Sequence, residues 1–446
     1  MQLSEKLTSR TAKLGVIGLG YVGLPLTVEM ADAGFTVVGI DNDPRKAKDI
    51  MAGVSYIGDV ATEELAKHVN EGRLSATTDA SVLAEVDAIS ICVPTPLSKT
   101  KDPDVSFILD AVRAIKQHLR PGQLIVLEST TYPGTTDELI RAELETDDFK
   151  VGRDFYLAFS PERIDPGNKT HGTRNTPKVV GGITTRCTEL AVALYSQFIE
   201  RVVPVSSARA AEMVKLLENT FRSVNIALVN ELASMCDVLG VDAYEVIDAA
   251  ATKPFGFLPF YPGPGLGGHC IPIDPHYLAW KLKAHDFTAR FIGLAAEVNQ
   301  QMPQLVVDKV TAGLNHHGRA VKGARILALG VAYKKDVSDM RESPALSVIK
   351  LLEDRGARVS YHDPYVPELI MESGAMAGVP LSEENLRLAD CAVILTDHTD
   401  FDIPWITSCS RLVVDTRNAT RGLEDRFGER ILKLGAPEPF SLPESA

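Results

Sequence analysis

The sequence predicts an α/β protein in which two doubly wound domains flank a central helical domain with one long helix. Three observations carry this prediction. Short apolar, β-branched runs alternate with amphipathic stretches of helix length up to about residue 204; residues 206–239 hold neither Gly nor Pro; and the alternation returns near residue 320. The expected division is therefore 1–204, 205–318 and 319–446.

In order along the chain, residues 13–17 (KLGVI), 36–40 (TVVGI), 86–93 (VDAISICV), 124–128 (LIVLE) and 155–159 (FYLAF) read as buried strands. Helical stretches such as 22–33 and 105–119 lie between them, which argues a parallel sheet covered on both faces. From 206 to 239, Ala210, Val214, Leu217, Phe221, Val224, Leu228, Leu232, Met235 and Leu239 recur at helical spacing. Ser206 or Ser207 can cap this helix and Gly240 can end it; at 1.5 Å per residue it is about 50 Å long. Its apolar stripe suits a second copy of the chain or packing within one chain. Further on, ARILALGVAY, ARVSYHDP, CAVILT and RLVVDT read as strands and 343–354 as a helix. The closing APEPFSLPESA, with three prolines, is expected to be a loose tail.

Composition narrows the function classes. Among 446 residues, 46 Lys and Arg stand against 59 Asp and Glu, a net charge of −13 that gives no overall attraction to nucleic acid or anionic membranes. No apolar run approaches the ~18 residues of a membrane span, and the first residues lack the apolar core of a leader, so a cytoplasmic protein is expected. Cysteines at 92, 187, 236, 270, 391 and 409 form no CxxC pair and no Cys/His spacing, so neither a disulfide framework nor a metal site is expected.

The first motif is Gly18-Leu19-Gly20-Tyr21-Val22-Gly23, between a predicted strand and a predicted helix. Its glycines permit a tight turn and the approach of a diphosphate to the helix N-terminus, as in a Rossmann-like fold. Asp41, ending the second strand, can accept hydrogen bonds from an adenosine ribose and repels a ribose phosphate, which favours NAD over NADP, with FAD a weaker competitor. Val93-Pro94-Thr95-Pro96 and Glu128-Ser129-Thr130-Thr131 end strands on the presumed carboxyl edge, where ligands sit; both also read as ordinary turns.

The second motif is the loop PGPGLGGHCIPIDP at 262–275, in which glycines lead into His269 and Cys270 and an acid, Asp274, follows four residues on. Cys270 reads either as an inert packing residue or as an activated nucleophile. Lys215 and Asn219, four apart on the long helix, share a face beside the apolar stripe; they point into a site or are a solvated lysine and a surface amide.

Taken together, GLGYVGLPL, VPTP, ESTTYPG, SPERIDPG, AEMVKLLENTFRSVNIALVNEL, PGPGLGGHCIPIDP and YKKDVSDMRESPA, in this order over nearly the whole chain, resemble the UDP-glucose/GDP-mannose dehydrogenase family. The stretch ATKPFGFLPFYPGPGLGGHCIPIDPHYLAWK is most similar to the branch acting on UDP-N-acetylglucosamine. UDP-glucose enzymes carry a second glutamate in the loop at 161–167, where this chain keeps Glu162 and has Pro166.

The resemblance implies NAD-dependent oxidation of a nucleotide sugar's primary alcohol to a carboxylate for polysaccharide precursors, by a homodimer built on the middle region. It implies Cys270 as nucleophile, Lys215 and Asn219 at the oxyanion, Asp274 as the acid after the cysteine and, with an ordered water, a candidate base, and Glu162 and Thr130 as further polar members. It places Gly18, Gly20, Tyr21, Val22, Gly23, Asp41, Thr95, Thr130 and Arg341 against NAD. Glu162, Arg163, Lys215, Asn219, Phe260, Tyr261, Gly263, Gly267 and Lys334 fall on the substrate side. The expected course is alcohol to aldehyde, thiohemiacetal on Cys270, thioester, then hydrolysis assisted by Glu162 or Asp274. Competing readings are the same chemistry on UDP-N-acetylmannosamine or UDP-glucose, a two-electron hydroxyacid dehydrogenase, and a non-catalytic sensor of NAD or nucleotide sugar.

Overall fold

The computed structural model of the protein describes residues 2–98, 102–165, 168, 170–268, 270–371 and 374–439. Pro166, His269 and most of the expected tail (440–446) lie outside the described residues. The chain divides into two compact units, Met1–Glu218 with His276–Thr288, and Asn219–Pro275 with Ala289–Ala446.

The first unit holds an eight-stranded sheet: β1 (Lys13–Ile17), β2 (Thr36–Ile40), β3 (Leu74–Thr77), β4 (Ala88–Ile91), β5 (Leu124–Leu127), β6 (Tyr156–Phe159), β7 (Lys178–Gly182) and β8 (Val202–Pro204). Their spatial order is β3-β2-β1-β4-β5-β6-β7-β8. Every β4 and β5 residue is buried, as a sheet covered on both faces requires. Neighbours run parallel except β6 and β7, which pair antiparallel through Ala158 to Gly182 and Phe159 to Gly181. β1 pairs with β2 in the register Lys13 to Thr36 and with β4 from Leu14 to Ala88. Strand order reverses at this point, so the carboxyl ends of β1 and β4 flank a ligand crevice. The expected helices are present as Gly23–Asp32 and Ser106–His118.

The second unit holds a parallel sheet of β9 (Arg325–Leu329), β10 (Arg358–His362), β13 (Cys391–Ile394), β14 (Val413–Asp415) and β15 (Ile431–Lys433), ordered β10-β9-β13-β14-β15. An antiparallel pair, β11 (Glu368–Met371) and β12 (Gly374–Ala377), stands beside it in sequence. Helix Pro344–Asp354 starts where its cap predicts, with Ser343 Oγ accepting from Ala345 N at 3.4 Å. Ile326, Val348, Leu352, Tyr361, Val393 and Val414 form its core.

The long helix spans Ala208–Leu239, 32 residues, with Ser207 Oγ accepting from Ala210 N at 3.1 Å and Gly240 leaving at φ 70°. Its burial departs from the apolar stripe in the sequence. Leu217 is 60% exposed and Leu228 58%, and Phe221, Met235 and Leu239 are exposed with them. The buried face carries Ala211, Glu212, Lys215, Leu216, Asn219, Ser223, Asn230, Ala233 and Cys236. Among the described residues no helix is long and apolar enough to cross a membrane.

Candidate active site

In the first unit the glycine loop leaves β1 with Gly18 at φ +91°. A Cβ on Gly18 would meet the Cys92 carbonyl oxygen at 2.6 Å, and one on Gly23 would meet that of Gly18 at 1.8 Å. These two glycines are required by the turn itself, whereas nothing lies within 4 Å of a Cβ on Gly20, so this backbone is open to a diphosphate. Tyr21 is exposed and Val22 half-buried. Asp41, buried at the end of β2, accepts from Leu19 N at 2.8 Å, from Asp43 N at 3.0 Å and from Lys46 Nζ at 2.9 Å. The turn, the open glycine and the carboxylate on the carboxyl edge fit NAD. Lys46 was not read from the sequence; the signal was NDPRK directly after the acid.

Thr95 follows β4, and its carbonyl accepts from the buried Tyr277 hydroxyl at 2.7 Å. Half-buried Thr130 stands between Ser129, bonded to the Val93 carbonyl at 2.7 Å, and Thr131, bonded to the Thr135 hydroxyl at 2.7 Å. Glu212 on the long helix pins the next turn: it accepts from Gly134 N at 2.6 Å, Thr136 N at 2.8 Å and Thr136 Oγ1 at 2.6 Å. Burial pushes this carboxyl up, and the three donors offset part of that shift. Lys215, one turn further along the same helix, is 8% exposed.

Glu162 Oε1 accepts from Arg163 N at 2.6 Å and Ile164 N at 2.8 Å. The Arg163 guanidinium grips Glu218 at 2.6 and 3.3 Å and donates to the Pro177 carbonyl at 2.6 Å, so it braces the acid loop against the long helix. Lys178, illegible in the sequence, lies 2.8 Å from Glu128 and 3.5 Å from Glu162; Glu128 belongs to the strand-ending ESTT segment that the sequence left between a ligand edge and an ordinary turn. Elsewhere in this unit Asp32, Glu64 and His68 gather, with Arg174 2.8 Å and Lys67 4.0 Å from Asp32 as counter-ions.

In the second unit Asn219 Nδ2 donates to Asp274 Oδ2, and both residues are buried. Asp274 heads the helix Asp274–Lys283, and its N–H donates to the Cys270 carbonyl at 2.8 Å, beside that of Ile273 at 3.0 Å. Cys270 is partly exposed in this turn, whereas Cys92, Cys187, Cys236 and Cys391 are buried. The Cys270 backbone thus lies against the first turn of the helix headed by Asp274, whose carboxylate meets the amide of Asn219 from the long helix.

The glycine run takes its shape from the segment 333–344. A Cβ on Gly267 would lie 2.9 Å from the Glu342 carbonyl and one on Gly268, at φ +92°, 2.9 Å from the Tyr333 ring; Gly268 N donates to the Arg341 carbonyl at 3.1 Å. Lys334 is half-buried here. The Arg341 guanidinium holds Asp339 at 3.0 and 2.6 Å. Asp336 at φ 59° and Glu342 at φ 51° bracket the segment in a conformation that L-residues rarely adopt.

Phe260 meets Phe221 edge to face at 5.9 Å, and exposed Tyr261 stacks on Tyr244 at 6.0 Å while donating to Asp248 at 2.7 Å. Gly263 N donates to Asn230 Oδ1 at 3.0 Å, and a Cβ there would fall 2.7 Å from Arg417 Nη1. Burial pushes the Arg417 pKa down, against the pull of Asp397 and Asp415. Arg417 and Asn230 also escaped the sequence reading; a strand-ending TRN was the available signal for the first.

Comparison with known proteins agrees with this geometry. Residues 12–199 match the NAD binding domain of the UDP-glucose/GDP-mannose dehydrogenase family, 209–301 its central domain and 327–422 its UDP binding domain. The chain is 37% identical over 439 residues to a UDP-N-acetyl-D-mannosamine dehydrogenase of Methanococcus maripaludis, covering 95% of this chain and 97% of that one. It is 36% identical over 416 residues to an NDP-N-acetyl-D-galactosaminuronic acid dehydrogenase of Ralstonia nicotianae, covering 91% and 95%. The solved UDP-D-ManNAc dehydrogenase of Pyrococcus horikoshii superposes with a TM-score of 0.85 at 32% identity, covering 95% of this chain and 99% of that chain. The chain therefore belongs to the UDP-glucose/GDP-mannose dehydrogenase family and is an NAD-dependent oxidoreductase of the UDP-sugar dehydrogenase kind.

Proposed function

We propose that the protein oxidises the 6-hydroxymethyl group of UDP-N-acetylglucosamine to the carboxylate, a four-electron reaction that supplies a polysaccharide precursor. The observation that carries this reading is the buried Asn219–Asp274 hydrogen bond with Asp274 N–H on the Cys270 carbonyl. NAD, when bound, supplies the hydride acceptor, once for each of two oxidations. Gly18, Gly20, Gly23 and Asp41 would hold it, with Tyr21, Val22, Thr95, Thr130 and Arg341 at its rim.

In this reading Asp274 accepts the proton of the primary alcohol as the aldehyde forms. Cys270 Sγ then bonds to the aldehyde carbon, and the thiol proton passes to the new hydroxyl. The second oxidation leaves a thioester on Cys270. Glu162 takes a proton from the attacking water; its oxygen bonds to the carbonyl carbon, the C–S bond breaks, and Cys270 regains its proton. Lys215 and Asn219 stabilise the oxyanion, a contribution whose loss costs on the order of a hundredfold in rate. Net, one alcohol, one water and two NAD become one carboxylic acid, two NADH and two protons.

We also propose the division of labour in which 1–204 binds NAD, 205–318 carries the nucleophile and the dimer contact, and 319–446 binds the UDP moiety through Lys334, with Phe260, Tyr261, Gly263, Gly267 and Arg163 completing the sugar side. The exposed Leu217, Phe221, Leu228 and Met235 support a homodimer. Six free cysteines suit the reducing cytoplasm.

A second reading, UDP-N-acetylmannosamine, is favoured by the names of the archaeal relatives. The test is to count NADH per sugar with limiting UDP-N-acetylglucosamine, UDP-N-acetylmannosamine and UDP-glucose in parallel. About two per UDP-N-acetylglucosamine supports the proposal. One per sugar removes the covalent scheme, and turnover only of another sugar replaces the substrate.

A further inference from the structure

Lys178 opens β7 and is 5% exposed, while Glu128 follows β5 and is 1% exposed, so a cation and an anion are both withdrawn from water. The ammonium lies 2.8 Å from Glu128 Oε2. Tyr195 donates to the other oxygen of Glu128 at 2.6 Å, and its ring centroid is 5.1 Å from Lys178 Nζ. Glu128 alone would neutralise Lys178. Yet Glu162 Oε2 also faces the ammonium at 3.5 Å, while its Oε1 is held by two backbone N–H groups.

The three side chains carry one more carboxylate than ammonium. Glu162, at 14%, is the most exposed of them, and the cleft it lines is formed with Arg163, Thr176, Pro177 and Lys178. Burial alone would push the Lys178 pKa down, but Glu128 and Glu162 outweigh it and the net shift is upward, which favours the ammonium form. An interior ammonium with a fixed counter-ion on one side and a functional carboxylate on the other orients that carboxylate: Oε2 is drawn toward the cation while Oε1 stays on its two backbone donors.

We infer that Lys178, anchored by Glu128 and Tyr195, is the positioning residue of Glu162, holding its carboxylate as an oriented anion ready to take the proton of the hydrolytic water. This rests on the proposed role of Glu162 in releasing the acid. No oxidation state changes in that step: as the water oxygen bonds to the carbonyl carbon one proton passes from water to Glu162 and on to the Cys270 sulfur, which leaves with the electron pair of the C–S bond.

The experiment is the pH profile of kcat for Lys178→Met at saturating NAD and the UDP-N-acetylhexosamine that turns over. Losing a cation beside a base moves the acid limb to higher pH, by about one unit or more, and lowers kcat by about tenfold or more at neutral pH. KM for both substrates stays within about threefold, and Lys178→Arg restores most of the rate, since only charge and reach are needed. An acid limb identical to the wild type's in Lys178→Met overturns the inference. Should that variant fail to fold because Glu128 is left buried and unpaired, Glu128→Leu with Lys178→Met removes both charges, and an unshifted acid limb there overturns it equally. Glu162→Gln separates the two readings. If it retains wild-type kcat, the role of Glu162 falls; if it loses the rate while Lys178→Met keeps its acid limb, only the inference falls.

Discussion

Asn219, inside the long helix, hydrogen-bonds through Nδ2 to Oδ2 of Asp274, four residues after Cys270. A carboxylate only accepts, so the amide orientation is assigned: nitrogen toward Asp274, oxygen away from it. Asp274→Asn keeps the shape and removes the base. The expected result is a kcat lower by about a hundredfold or more with KM changed only a few-fold, read from initial rates.

Cys270→Ser replaces the nucleophile with a far weaker one. Turnover is expected to stall before the acid is released while NAD binding, followed by fluorescence titration, is unchanged. Two NADH per sugar at the wild-type rate would remove the covalent scheme.

Asp41 is held by Leu19 N and Lys46 on one oxygen and by Asp43 N on the other. Asp41→Ala is expected to raise KM for NAD by about tenfold and to narrow the preference over NADP, because the variant loses the ribose acceptor and leaves Lys46 free to attract a phosphate. An unchanged ratio of kcat/KM for the two cofactors counts against this reading.

Leu228 and Met235 expose more than a third of their surface on the long helix, and joint replacement by Asp puts two charges on that face. Light scattering should then find monomer in place of the proposed homodimer, with the far-ultraviolet circular dichroism unaltered. A monomeric wild type at micromolar concentration would falsify the dimer.

Asp363 accepts from Val331 N at 2.7 Å, Ala332 N at 3.0 Å and His398 Nε2 at 3.0 Å, just ahead of Tyr333 and Lys334. Burial raises its pKa, but these bonds and that from Tyr365 N outweigh it and hold the carboxyl below its ordinary 3.8. A depressed value means stability that is present above pH 4 and lost as pH falls through the folded-state value. Asp363→Asn should therefore cost about 1–3 kcal/mol near neutrality and narrow its gap to the wild type below pH 4, as read by urea unfolding at several pH values.

The glycine fingerprint was legible because its demands are local: Gly18 and Gly23 meet backbone atoms that only a glycine clears. The long helix was legible from missing glycine and proline, but not its buried face. Periodicity weights large apolar side chains, and here Leu217 and Leu228 face outward while Ala211, Ala233, Asn219 and Asn230 face in. β3 reads LSAT and β8 VVP, too short or too polar to signal a strand, and β7 ends in two glycines. Lys178 looks like any strand-opening lysine until the fold sets it against Glu128, 50 residues away in sequence. The likeness to a family, rather than spacing, singled out Glu162, whereas Asp274 was already visible four residues after Cys270.

Gly265, Gly267 and Gly268 are moulded by Pro344, Glu342 and Tyr333, which the ribosome adds more than sixty residues after Cys270. A nascent chain that has just emitted its thiol has no surface on which to shape the loop around it. The loop that carries the proposed nucleophile is thus completed late in synthesis, and a prematurely terminated chain carries Cys270 without the segment that shapes the glycine run before it.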